Sequence, residues 1–288
     1  MVQGTTALTA DIIRFVSDQL ELLVRRYLPE GRLPLRFAGF PTHPWTIGDL
    51  AETLSLLHEL GVYQLQDRDI EEWLAELLAQ VQPEDCNCFA SYHLAESIGR
   101  FGAWQGNPLL EELNDDTRER LRRAVDSTAI VDRETESLPG LPRNYWAVLA
   151  RCEVARERLG LLDDDSVLEL AVGKCRAMIA ENSQGFIDDS PGRLGRYDIY
   201  SAEICCFLEP LYERLPREQV DLLLEAHRRQ LELGARDNGA YLVWGRSTGL
   251  ISIGMTMELA ALILAEERTD QPGKPGGATV WSRLTATG

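Results

Sequence analysis

The chain has almost no lysine, no apolar run long enough to cross a bilayer, and almost no alternation of polar and apolar residues. Each absence excludes something. Only Lys174 and Lys274 are lysines, and 29 Lys and Arg residues face 46 Asp and Glu, for a net charge of −17. A general binder of nucleic acid or of an anionic membrane needs the opposite field, so neither is an expected partner. Without about 18 consecutive apolar residues no membrane-spanning helix is predicted. The opening Met1-Val-Gln-Gly-Thr-Thr also lacks the basic and then apolar regions of a leader, so a soluble, cytoplasmic protein is expected. In that compartment Cys86, Cys88, Cys152, Cys175, Cys205 and Cys206 are expected as free thiols rather than a disulfide framework. Also missing are a phosphate loop, a nucleophile elbow and a His-Glu-x-x-His pair; Gly245-Arg-Ser-Thr-Gly249 lacks the strand and lysine that a phosphate loop requires. No cofactor is expected.

What is present is helical periodicity, recurring about ten times along 288 residues of which 44% are hydrophobic. Helices are expected over about 9–28, 46–61, 66–82, 86–101, 107–126, 143–159, 163–182, 198–214, 217–234 and 246–267. Asn107-Pro108 supplies a cap and a first-turn proline, Pro216 a second such proline, and Gly160 and Gly234 C-terminal stops. In pairs these helices make antiparallel hairpins with a spacing of about 50 residues, the pattern of repeated αα units. The expected organisation is one helical domain over 1–268 and a Pro/Gly-rich tail over 269–288.

The chemistry-bearing residues gather at the starts of the even-numbered helices. His43-Pro-Trp45-Thr46 precedes the second, Cys86-Asn-Cys-Phe-Ala-Ser-Tyr92-His93 opens the fourth, and Arg143-Asn144-Tyr145-Trp146 opens the sixth. Arg196-Tyr197-Asp198-Ile-Tyr200 opens the eighth and Trp244-Gly245-Arg246 the tenth. If the even helices form a parallel inner ring, all five clusters meet at one mouth, where the long loops 29–45, 127–142 and 183–197 also lead.

From about Asn144 to Glu267 the sequence resembles the (α/α)-toroid domains of the heparinase II/III and alginate-lyase type, and a related uncharacterised bacterial family. Asn144-Tyr-Trp, Gly185-Phe-Ile-Asp-Asp189, Gly195-Arg-Tyr-Asp-Ile-Tyr-Ser201 and Asp237-Asn-Gly-Ala-Tyr-Leu-Val-Trp-Gly-Arg-Ser247 carry the likeness. It implies an incomplete or compact six-hairpin toroid that binds an oligo- or polysaccharide and, in the lyases, cleaves uronate polymers by β-elimination. Two features depart from that pattern: Asn144 is followed by Tyr145 rather than a histidine, and the chain ends at Gly288 with no β-sandwich after the toroid.

β-Elimination needs a carboxylate neutraliser, a base and an acid. Asn144 and Arg246 suit the first role, the arginine through its planar fork at a helix start. Tyr197, Tyr200 or His93 suit the others; residues 197 and 200 share a helix face. Arg196, Tyr92 and Asp237 would line the mouth, and Trp45, Trp146 and Trp244 would stack sugar faces, while Trp104 is expected in the core. A hydrolase would instead need two carboxylates about 5–10 Å apart. Asp198 and Asp237 are the first choice, Asp188 and Asp189 alternates, and Glu258 a candidate if it faces inward. Cys86, Cys88 and His93 resemble part of a zinc set such as that of lanthionine cyclases. No fourth ligand accompanies them, and no metal is expected.

Overall fold

The computed structural model describes residues 13–22, 36–37, 40–41, 45–83, 88–190 and 199–234, and residues 254–263 except 257 and 260. The described chain is mainly helical. Its helices are α1 (13–22), α2 (Trp45–Glu59), α3 (Ile70–Leu78), α4 (Cys88–Gly99), α5 (Pro108–Glu111), α6 (Asp115–Ala124), α7 (Tyr145–Leu159), α8 (Ser166–Ala180), α9 (Ile199–Phe207), α10 (Arg217–Gly234) and α11 (within 254–263). Two two-residue antiparallel pairings complete it: β1 (Arg36–Phe37) with β2 (Phe40–Pro41), and β3 (Gln64–Leu65) with β4 (Arg68–Asp69). Among the described residues no helix is long and apolar enough to cross a membrane.

Three expected helices are broken, each by a local signal. Gln66 and Asp67 take φ of 56° and 60°, the left-handed pair that turns a tight hairpin, so α3 starts only at Ile70. Trp73 then donates its indole N–H to the Leu65 carbonyl at 3.1 Å, and the Arg68 guanidinium lies 4.5 Å over the same ring, sealing the hairpin to the helix. Within 107–126, Asn114 accepts from the Thr117 amide at 2.9 Å and caps a separate helix, α6. The span expected at 198–214 leaves the α conformation after Phe207, because Pro210 has no amide to donate and its ring clashes with the turn before it; Glu209–Arg214 is a 3₁₀ segment. Gly61 and Gly160 end their helices at φ of 87° and 71°.

The chain divides into two compact units, one of residues 1–130 with 152–164 and 287–288, the other of 131–151 with 165–286. In the first, α2 lies against α3 and α4, and Leu54, Leu57, Leu74, Leu77, Leu94, Ile98 and Leu121 are buried in one apolar cluster. Each such side chain contributes about 1.5–3 kcal/mol on leaving water. Helices α2 and α4 approach closely: a Cβ on Gly48 would stand 3.2 Å from that of His93. Arg100 locks the pair, its guanidinium reaching Glu52 at 2.7 Å and Glu59 at 3.1 Å. In the second unit α10 packs on α8 and α9, with Leu168, Cys175, Ile179, Ile204, Cys205 and Leu223 fully buried.

Candidate functional site

In the second unit the residues 185–190 are held from three helices. Gly185, at φ 80°, lies directly on α10: a Cβ there would fall 2.4 Å from the Leu222 carbonyl oxygen and 2.9 Å from Ala226. Next along, the Phe186 ring meets His227 of α10 at 5.9 Å between centroids. From α9, Ser201 donates its hydroxyl to the Ile187 carbonyl at 2.5 Å. At the start of α7, Arg143 reaches the Asp188 carbonyl at 3.2 Å and Glu181 at 2.7 Å, and the Asn144 amide donates to Asp189 Oδ1 at 3.2 Å. Asp188 turns back on its own segment, accepting from the Ser190 amide at 2.9 Å and hydroxyl at 2.5 Å. These restraints fix the positions of Asp188 and Asp189.

Asn144 is the centre of the arrangement. Only 4% exposed, it occupies the N-cap position of α7, with its carbonyl accepting from Ala147 and Val148. Its side-chain Nδ2 donates to Glu203 Oε2 at 3.5 Å, a long contact, and its Oδ1 has no hydrogen-bond partner. The donor must face the carboxylate, which fixes the amide orientation and leaves the oxygen open. Asp189 and Glu203 are themselves buried. One buried residue thus gathers two carboxylates and presents a third acceptor. Asp189 is thus bonded by the backbone amide of Asn144 and Glu203 by its side chain, so that one residue links two carboxyl groups of the kind that acid–base work on glycosides requires.

Beneath this cluster His227 is fully buried, with Nδ1 2.7 Å from the Leu223 carbonyl. Burial pushes its pKa below the ordinary value of 6.5, outweighing the backbone oxygens of Leu223 and Ser201 that favour the charged ring.

Of the residues expected in the site, Asn144, Trp146 and Tyr200 belong to this unit. Trp146 is buried with Lys174 5.7 Å from its ring, and Tyr200 is partly buried on α9. Tyr92 and His93 belong to the first unit, where their rings stack at 4.5 Å and His93 Nε2 lies 3.4 Å from Asp49. Trp45 opens α2. Arg196, Tyr197, Asp198, Asp237, Trp244 and Arg246 lie outside the described residues, as does Cys86. Glu258 is exposed, and Trp104 is only partly buried. Cys88 is buried, and burial pushes its thiol up to about 12. Cys152, Cys175, Cys205 and Cys206 are likewise buried free thiols. Glu203 and His227 were not among the expected residues; one is a mid-helix acid among 46, the other a mid-helix histidine, and only burial distinguishes them.

No family model, no curated protein and no solved structure matches this chain.

Proposed function

We propose that the chain is a carbohydrate-active protein of the (α/α)-toroid type, and that the Asn144 cluster takes a neutral saccharide and hydrolyses it. The observation that carries this is the buried Oδ1 of Asn144, unpartnered and grouped with Asp189 and Glu203. A set made of acceptors selects a ligand rich in donors, which hydroxyl groups supply. In hydrolysis one carboxyl protonates the leaving oxygen while the other, ionised, activates water or attacks the anomeric carbon.

β-Elimination from a uronate fits this environment less well. Arg143, the arginine beside Asn144, is engaged by Glu181 and the Asp188 carbonyl, and the side chains against Asn144 are acidic. A substrate carboxylate there would meet like charge.

The test is a screen of neutral glucans, mannans and xylans for new reducing ends, run beside uronate polymers followed by the absorbance of unsaturated products. Reducing ends from a neutral glycan, lost about 10²–10⁴-fold in Glu203→Gln or Asp189→Asn, are expected. Unsaturated uronates would instead establish a lyase. Saccharide binding with neither product would establish a non-catalytic binding protein.

A further inference from the structure

A second place, wholly within the first unit, has the chemistry of a ligand site. A cavity of about 380 Å³ lies between the segment 104–107 and one face of α6, at the lower end of the size range of small-molecule pockets. Trp104 forms part of its wall, and the segment carrying it is firmly held. The Trp104 amide donates to the Leu159 carbonyl at 2.9 Å, Gly102 and Gly106 bend the chain at φ of 125° and 72°, and Asn107 binds the Ile98 and Gly102 carbonyls at 3.0 Å each. The indole N–H takes no partner from the described residues.

Across from the ring, Arg118 is already committed to Asp115 and to the Leu110 carbonyl. The side chains of Glu111, Glu119 and Arg122, all exposed, make no ion pair or hydrogen bond among the described residues, and Gln105 adds an amide. The uncommitted groups are therefore both donors (Trp104, Gln105, Arg122) and acceptors (Gln105, Glu111, Glu119). Counting every lining charge, an anion would meet three carboxylates (Glu111, Asp115 and Glu119), and a simple cation would meet two guanidinium groups (Arg118 and Arg122). A neutral ligand whose every polar group both donates and accepts, with a flat apolar face for the ring, meets neither penalty.

We propose that this cavity is a saccharide-binding site for a neutral mono- or disaccharide unit, with Trp104 as the stacking platform and Arg122 and Glu119 bonding its hydroxyls. It does not depend on the reading of the Asn144 cluster.

The experiment uses the full chain, with cellobiose and maltose as probes, a uronate-bearing disaccharide and tetramethylammonium as charged controls, and saturation-transfer NMR with tryptophan fluorescence titration as readouts. Saturable binding of a neutral disaccharide is expected, weakened about five-fold or more by Arg122→Ala and by Glu119→Gln. Both side chains are exposed on α6, so the melting temperature should not move. Trp104→Ala should abolish binding; because Trp104 also packs on the apolar cluster, Trp104→Phe is the companion variant that keeps the packing, and it should weaken binding without loss of fold. In Asn144→Ala the part of the binding that Arg122→Ala and Glu119→Gln weaken should remain. The proposal is overturned if neither disaccharide binds, if a charged control binds more tightly, if Arg122→Ala and Glu119→Gln bind as the parent does, or if Asn144→Ala removes the binding and so assigns it to the other unit.

Discussion

Two buried asparagines begin helices in this protein and are used in opposite ways. Asn107, 1% exposed in the first unit, spends every side-chain atom on structure: Oδ1 caps α5 through the Leu109 amide at 3.1 Å, and Nδ2 ties two carbonyls of the preceding turn. Asn144, 4% exposed in the second, leaves its cap unmade and its Oδ1 open, and turns its donors to two carboxylates. The same residue type at the same helix position is a fastening in one unit and an acceptor in the other. What separates them is whether backbone or carboxylate surrounds the amide, which neither sequence position nor helix propensity encodes.

The largest effect should come from the residue that places those carboxylates. Gly185→Ala would put a methyl group into the α10 backbone at a positive φ, and the helix cannot yield as a flexible side chain can. A loss of about 3 kcal/mol or more is expected in denaturant unfolding. Gly160→Ala, at a similar φ of 71° but with open space around it, should cost only about 1 kcal/mol. Equal losses would mean that backbone conformation alone matters, and that the loop is not seated on α10.

The comparison of the asparagines can be broken next. Asn107→Ala removes a cap and two bonds to buried carbonyls and should cost about 2–3 kcal/mol. Asn144→Ala removes one long contact and an oxygen that bonds nothing, so its thermal midpoint should fall by less than half as much while any saccharide turnover is lost. If Asn144→Ala destabilises as strongly as Asn107→Ala and leaves turnover unchanged, Asn144 is a fastening too.

Much of the fold is legible because helices write a 3.6-residue period into the chain, and the Asn107-Pro108 start and the Gly160 stop are readable from the residues themselves. The breaks are harder to see, although each has a local cause. Gln66-Asp67 is not one of the usual Asn-Gly or Asp-Gly turns, Asn114-Asp115-Asp116 is a short polar step between two stretches of the same helical period, and Pro210 falls within a longer periodic stretch. The site divides similarly. Asn144 stood out as a polar residue at a helix start, and the adjacent aspartates 188 and 189 as loop acids, but Glu203 meets Asn144 across 59 positions of sequence. A contact of that separation is a property of packing, and no spacing rule reports it.

The smallest expected effect concerns His227, under the segment that carries Asp188 and Asp189. Its folded-state pKa is held below 6.5 by burial, so the unfolded chain binds a proton more readily than the folded one. Stability from the neutral ring is therefore complete above about pH 6.5 and is lost as the pH falls from there through the folded-state value. Thermal midpoints measured across that range should decline toward acid, and His227→Gln, which can still donate to the Leu223 carbonyl but does not titrate, should flatten this part of the profile. If His227→Gln keeps the acid limb unchanged, the buried histidine is not the group that makes the second unit acid-sensitive.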